Sequence, residues 1–266
     1  MKSTGNSTVF AAARSRYRGH LRAARPDDAL AARAAAAYAH PEEVLKRSPH
    51  QLLVRGQDAD LIFKFYTDRD LFSRWRHSRA RRAWAAAVAM RESELPTIEV
   101  LGFVDGSPAF APFTSCLVMR TIPDTMTLRE WIRRNHRRWT PAQWDAYRHA
   151  LSTFWLGLGR HGFYHDDTKA LNILVKLPVD TPFPRFYWID PESVHPGHRA
   201  SRHQVLRNLT QLNGSLRSWA PDAQRLRFLD EVARVHPWLR APRVETVIRR
   251  WTHRRLLKEK KTRCGP

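Results

Sequence analysis

The 266-residue chain has 46 Lys and Arg against 25 Asp and Glu, a formal net charge of +21, and is 42% hydrophobic and 11% aromatic. That apolar content fills one sizeable or two small cores, which excludes a disordered chain, and no glycine period or solenoid repeat points to a fibrous or repeat class. No apolar run approaches the roughly 20 residues of a membrane-spanning helix, Met1–Asn6 lacks the order of a secretory leader, and Cys116 and Cys264 alone make neither a disulfide framework nor a cysteine metal site, so a reducing cytoplasm is expected.

Residues 1–41 are rich in Ala and Arg, read as an N-terminal extension of one or two short helices, and are expected to add little core. Val44–Leu45, Gln51–Val54 and Leu61–Tyr66 form a predicted antiparallel meander, with turns at Lys46–His50 and Gly56–Asp60. Leu71, Trp75, Ala80, Trp84, Ala87 and Val88 recur at helical spacing over 71–94, and Leu95-Pro96 ends the run. Ile98–Val104 and Cys116–Ile122 read as two more strands, split by the Asp105–Pro108 turn. From Thr127 the pattern is helical: Leu128–His136, then Pro141–His161, with Trp144, Tyr147, Leu151, Phe154, Trp155 and Leu158 as a core stripe.

The segment from His161 to Val175 contains H-x-D-x-x-x-x-N as His165, Asp167 and Asn172. Asn172 opens an apolar strand, a proline-rich turn covers 178–184, and Arg185–Ile189 returns as a second strand that ends at Asp190. Such a hairpin brings Asn172 near Asp190. An amide oxygen beside a carboxylate suits Mg²⁺, and Asp167 in the preceding loop is free to accept a hydroxyl proton. Asp166 is an alternative base, but its offset to Asn172 is one residue too long for the pattern. His165 reads as a packed, hydrogen-bonded loop residue.

With these motifs the chain resembles the protein-kinase-like superfamily and, within it, the bacterial lipopolysaccharide core kinases that phosphorylate Kdo or heptose. The resemblance spans roughly residues 44 to 215 and rests on His165-x-Asp167 with Asn172, on Asp190-Pro191-Glu192, and on Lys64 in the third strand of the meander. It implies an α+β, two-lobed protein-kinase-like fold. A five-strand antiparallel N-lobe with one helix (42–122) would be followed by a mainly helical C-lobe (123–266) with a basic C-terminal helix. It also implies an ATP- and Mg²⁺-dependent phosphotransferase acting on a sugar hydroxyl of a lipopolysaccharide core precursor. In that scheme Asp167 is catalytic, Lys64, Met119, Thr121 and Lys169 serve the nucleotide, and Asn172 and Asp190 hold the metal. The family's glycine loop is absent, with Lys46, Arg47 and Ser48 in its place. Ala83 precedes Trp84 where related sequences tend to show the glutamate that pairs with the lysine.

The implied partners are a glycolipid or sugar acceptor and an anionic membrane surface, with a peripheral place at the inner face of the cytoplasmic membrane. Val244, Val247, Ile248 and Trp251 share one helical face beside a run of Arg and Lys, which suits that surface. Nucleic acid is not expected, although the charge admits it. Two rival readings share the sequence features: a protein or other small-molecule kinase with the same site, and a catalytically weak pseudokinase that binds polyanions.

Overall fold

The computed structural model describes residues 8–11, 17–21, 29–57, 60–67, 78–106, 113–181 and 183–263. The chain divides into two compact units between Pro123 and Asp124. The expected helix before Ser78, with Leu71 and Trp75, lies outside the described residues, as do Asp58-Ala59, Ser107-Pro108 and Cys264.

The first unit is built on a seven-stranded antiparallel sheet. Its strands are β1 (Thr8–Ala11), β2 (Tyr17–Leu21), β3 (Glu43–Ser48), β4 (Gln51–Arg55), β5 (Leu61–Tyr66), β6 (Val100–Gly106) and β7 (Ser115–Arg120), in the order β1-β2-β6-β7-β5-β4-β3. Alternation along the strands sends Leu52, Val54, Phe63, Phe65, Cys116 and Val118 to one face, where they form a buried core with Ala34 and Ala37 of helix α1 (Ala29–Ala39). The opposite face carries Lys64, Leu117 and Met119 and meets helix α2 (Arg79–Glu92), which packs on β6 and β7 through buried Ala80, Ala83, Ala86, Ala87 and Met90. Small side chains on both helices let them lie close to the strands. The Ser78 hydroxyl caps α2 by accepting from the Arg81 amide.

The five strands and the helix expected after residue 41 are thus present, whereas the start of the chain differs from the expectation. The short helices expected over 1–40 are replaced in part by β1 and β2, and α1 enters the core. Buried alanines contribute volume without the bulk that marks a core in sequence. Strand β2 also extends β6, because Arg18 and Tyr17 pair with Asp105 and Gly106, which the sequence places in a turn. Similarly, Lys46 and Arg47 pair with Leu53 and Leu52 inside β3 rather than forming a turn.

The second unit is mainly helical. It contains α3 (Leu128–Asn135), α4 (Pro141–Arg160), α5 (Arg202–Leu216), α6 (Asp222–Val235) and α7 (Val244–Arg263). Its strands are β8 (Thr125–Thr127), β9 (Phe163–His165), β10 (Ile173–Lys176), β11 (Arg185–Trp188) and β12 (Val194–Pro196), arranged as a β11-β10-β8 sheet and a β12-β9 ribbon. Thr140 with Gln143 and Ser201 with Gln204 form capping boxes at the starts of α4 and α5. Phe154 of α4 stacks on Trp188 of β11 at 4.7 Å, which fixes the hairpin on the helical core. Among the described residues no helix is long and apolar enough to cross a membrane.

One close approach in the first unit is testable. Gly56 closes the turn from β4 to β5 by donating its amide to the Leu61 carbonyl at 3.0 Å, and a Cβ there would lie 2.5 Å from Cε2 of the buried Phe63 ring. Gly56→Ala is expected to cost about 1–3 kcal/mol of unfolding free energy through overpacking. Urea titration measures it, and a change under about 0.5 kcal/mol would show that the ring moves aside freely.

Candidate active site

The chain enters the site along β9 and leaves it through a one-turn helix, Ala170–Asn172, that runs directly into β10. Between them lies the loop Asp166–Lys169. The Asn172 side chain donates to the Asp167 carbonyl at 2.8 Å and to Asp167 Oδ2 at 3.0 Å. Both partners are acceptors, so the amide nitrogen must face them and Oδ1 is left for another ligand. Lys169 Nζ lies 2.5 Å from the same Oδ2. Asp167, Lys169 and Asn172 are therefore brought together as the sequence implies.

Asp190 follows the hairpin's last strand. Ile173 pairs with Trp188 and the Ile189 amide donates to the Asn172 carbonyl at 3.1 Å, so Asn172 and Asp190 stand at the same end of the ladder. Asp190 has φ +68° and ψ 55°, in the left-handed region. Such a backbone costs of order 1 kcal/mol for a residue with a Cβ, and Asp and Asn tolerate it best. Asp190 also accepts from the Ser193 hydroxyl at 3.4 Å.

His165 ties the two segments together. It is fully buried, its Nδ1 accepts from the Asp167 amide at 3.0 Å, and its Nε2 is 3.3 Å from the Ile189 carbonyl. An N–H on one side and a carbonyl on the other fix the neutral tautomer with the proton on Nε2. Burial lowers its pKa below the ordinary 6.5, against the opposing pull of the Ile189 carbonyl and of Asp190, Asp167 and Asp166.

Asp166 is fully engaged elsewhere. Its Oδ2 is 2.7 Å from His195 Nε2, its Oδ1 is 3.0 Å from Arg207, and its carbonyl accepts from Arg207 at 2.7 Å and Gln211 at 2.9 Å. Burial alone would raise its pKa, but the His195 hydrogen bond and the charges of His195 and Arg207 bring it below the usual carboxylate value. Its two oxygens are held away from a base's role, while Asp167 is held beside Asn172.

Residues that the sequence reading missed come from α5. Asn208 donates to the His165 carbonyl at 2.9 Å, Gln211 accepts from the Thr168 amide at 2.9 Å, and the Ser215 hydroxyl accepts from the Ala170 amide at 2.9 Å. Thr168 returns its hydroxyl to the Asn208 carbonyl at 3.1 Å. A signal was present: Asn208, Gln211 and Ser215 recur at i, i+3 and i+7, a polar stripe beside the buried Val205, Leu209, Leu212 and Leu216. Buried Asn and Gln on a helix need partners, and a loop without its own ladder supplies them.

In the first unit, Lys64 is buried and lies 5.5 Å from the Tyr66 ring centroid, with Arg79 over the same ring at 4.8 Å. Met119, also buried, lies opposite Ile62, so it shares the sheet face of Lys64. The Thr121 amide and hydroxyl both donate to the Asp60 carbonyl, at 2.7 and 3.1 Å. Ala83 is fully buried on α2.

The donor set of Asn172 Oδ1 and the Asp190 carboxylate fits Mg²⁺, which takes hard oxygens and usually one or two protein ligands, the rest being phosphate and water. Among the described residues no three His, Cys, Asp or Glu side chains converge as an all-protein metal cage.

The buried imidazole sets a pH dependence. Its folded pKa lies below 6.5, so below that pH the unfolded chain binds the proton more readily and stability falls as pH drops from about 7 to 5. His236, also lowered by burial, adds to the slope. His165→Asn keeps an acceptor for the Asp167 amide and removes the titrating group, so its unfolding free energy should depend less steeply on pH over this range. Urea titrations at stepped pH measure this, and an unchanged slope would remove His165 from the account.

A family model described as Kdo: Lipopolysaccharide kinase (Kdo/WaaP) family matches residues 44–231, well over half of the chain. No curated protein matches it. Among solved structures, "WaaP in complex with acyl carrier protein" aligns with a TM-score of 0.63 at 20% identity, covering 85% of this chain and 91% of that one, which shows the kinase-like fold. With His165, Asp167, Asn172 and Asp190 all inside the matched segment, the chain belongs to the Kdo/WaaP lipopolysaccharide kinase family.

Proposed function

We propose that the chain transfers the terminal phosphoryl group of ATP, with Mg²⁺, to a sugar hydroxyl of a lipopolysaccharide core precursor. Family membership makes it a phosphotransferase onto a sugar hydroxyl; the nucleotide, the metal and the residue roles are the added reading. The observation that carries it is the Asn172 amide, whose nitrogen is locked onto the carbonyl and carboxylate of Asp167, which leaves its oxygen for another ligand at the hairpin end that also bears Asp190.

In this reading Asp167 orients the acceptor hydroxyl and accepts its proton. Lys169, already on the Asp167 carboxylate, keeps that oxygen from swinging away and offers its remaining N–H groups to the transferred phosphate. Asn172 and Asp190 would hold the metal, and Mg²⁺ held there would supply positive charge against the negative charge that develops on the transferred group. Lys64 steadies the nucleotide phosphates, and Met119 and Thr121 border its base. Positioning and charge neutralisation, rather than covalent chemistry, supply most of the rate.

The family match favours a glycolipid acceptor over a protein or other small molecule and over a polyanion-binding pseudokinase. Exposed Arg249, Arg250 and Arg254 on α7 suit an anionic membrane surface, where such an acceptor would be met. An acyl carrier protein, the partner in the WaaP complex, is a second candidate partner. An apolar cavity of about 100 Å³ lined by Trp131, Trp139, Trp144 and Phe228 and bordered by Arg225 and Arg249 favours an acyl group there.

Two substitutions separate chemistry from binding. Asp167→Ala is expected to lower transfer by about 10²–10⁴-fold while Mg·ATP still binds; near-native turnover would move the proton acceptor elsewhere. Asp190→Asn removes a charge at nearly constant volume and keeps a residue that accepts the left-handed backbone, so Tm should hold while Mg²⁺ no longer strengthens ATP binding. Unchanged Mg·ATP affinity, read by calorimetry, would contradict the metal assignment.

A further inference from the structure

In the kinase scheme a glutamate on the helix of the first lobe holds the strand lysine, and through that ion pair the position of the helix reaches the nucleotide phosphates. The residue in that place here is Ala83, fully buried on α2, whose side chain ends at Cβ. One turn earlier on the same helix stands Arg79, and two residues beyond Lys64 on the same strand stands Tyr66, so each shares a face with the residue it neighbours. The Tyr66 ring is fully buried. Lys64 Nζ lies 5.5 Å from its centroid and Cζ of the Arg79 guanidinium lies 4.8 Å from it. Both distances fall within the range of cation–π attraction, which is strongest where water is excluded.

Both ends of this contact are fixed in the sheet. Tyr66 pairs with Gln51 on one side and Ser115 on the other, and its carbonyl accepts from the Thr114 amide at 2.8 Å and the Thr114 hydroxyl at 3.0 Å. The buried Ser115 hydroxyl accepts from the Ala80 amide at 3.4 Å, which ties the first turn of α2 to the strand position opposite Tyr66. Arg79 is the first residue of that helix, where the helix dipole disfavours a cation. Its place follows from the ring beneath it rather than from helix stability.

We propose that Tyr66 and Arg79 are positioning residues that take over the link between helix and lysine, an Arg79–Tyr66–Lys64 stack standing where the scheme has an ion pair. This rests on the reading of Lys64 as the cation that steadies the nucleotide phosphates, and adds how that cation is aimed. The two devices differ in their electrostatics. A carboxylate cancels the charge of the ammonium it directs, whereas an aromatic face directs the ammonium through its quadrupole and leaves the charge for a phosphate to meet. A shift of α2 reaches Lys64 through the guanidinium and the ring, so the helix keeps its hold on the lysine although Ala83 has no carboxylate to offer.

The test uses the full chain carrying ¹³C at the lysine ε-carbons, with Lys64 identified by the NMR resonance that Lys64→Arg removes. Without nucleotide, the Tyr66 ring current should move the Lys64 ε-methylene protons upfield of an unstructured lysine. Tyr66→Phe keeps the ring and should keep that shift, Tyr66→Leu keeps apolar volume and should lose it, and Arg79→Gln should reduce it. In transfer assays, kcat/KM for ATP should fall about ten- to thirtyfold in Tyr66→Leu, the span of a desolvated cation–π contact. It should fall less in Arg79→Gln and stay within about twofold in Tyr66→Phe. A Lys64 resonance at the ordinary position in the wild type, equal kcat/KM in the wild type and Tyr66→Leu, or a Tyr66→Phe variant as impaired as Tyr66→Leu would each overturn the stack; the first and third hold even where Tyr66→Leu fails to fold. Calorimetry of Mg·ATP binding separates the two readings. A ring-current shift and an ATP affinity that both depend on the Tyr66 ring, with no transfer to any acceptor, would sink the kinase reading and keep the stack.

Discussion

The buried imidazole of His165 accepts from the Asp167 amide with one nitrogen and faces the Ile189 carbonyl with the other, tying the loop that carries Asp167 to the strand end that carries Asp190. A charged imidazole could not accept from the amide, so the connection requires the neutral ring, and burial keeps it neutral. The rest of the site hangs from this link. With the Asp167 backbone fixed, Asn172 reaches its carbonyl and carboxylate together, and Asp166 is turned toward Arg207 and His195.

The loop itself has no ladder to satisfy its peptide groups, and α5 supplies what is missing. Asn208, Gln211 and Ser215 meet the His165 carbonyl, the Thr168 amide and the Ala170 amide, each at 2.9 Å. Polar residues of this kind would weaken an ordinary helix interface, since each left unpaired in the interior costs about 1–3 kcal/mol. Paired to the loop, they replace adaptable apolar packing with directional bonds. The left-handed backbone of Asp190 follows the same logic: an unfavourable conformation persists because its surroundings leave no alternative, and the side chain is aimed by it.

How much of this could be read in the sequence follows from how local each signal is. His165, Asp167, Lys169 and Asn172 lie within eight positions, and the hairpin to Asp190 is marked by two apolar runs around a proline-rich turn, so the candidate site was legible in the sequence alone. The five strands after residue 41 and α2 were legible too, because large residues alternate or recur at helical spacing. The contribution of α5 was not, since its partners lie about 40 residues away in sequence and its polar stripe reads as solvent-facing until the loop is placed on it. Strands β1 and β2 were missed for a different reason. Strand β2, set among arginines, shows no apolar alternation, and its pairing with β6 depends on a partner strand far along the chain, while the four-residue β1 pairs with β2. The same holds for Ala34 and Ala37, which are core residues too small to announce it.

The central claim is that this arrangement moves phosphate from ATP to a lipopolysaccharide sugar with the help of Mg²⁺. It is tested most directly by incubating the full chain with γ-labelled ATP and a lipopolysaccharide core precursor, then locating the label on the glycolipid by mass spectrometry, with and without chelation of divalent metal. The account predicts label on a sugar hydroxyl when Mg²⁺ is present and none after chelation. Label released only as inorganic phosphate, label on the glycolipid regardless of metal, or no transfer at all would contradict it.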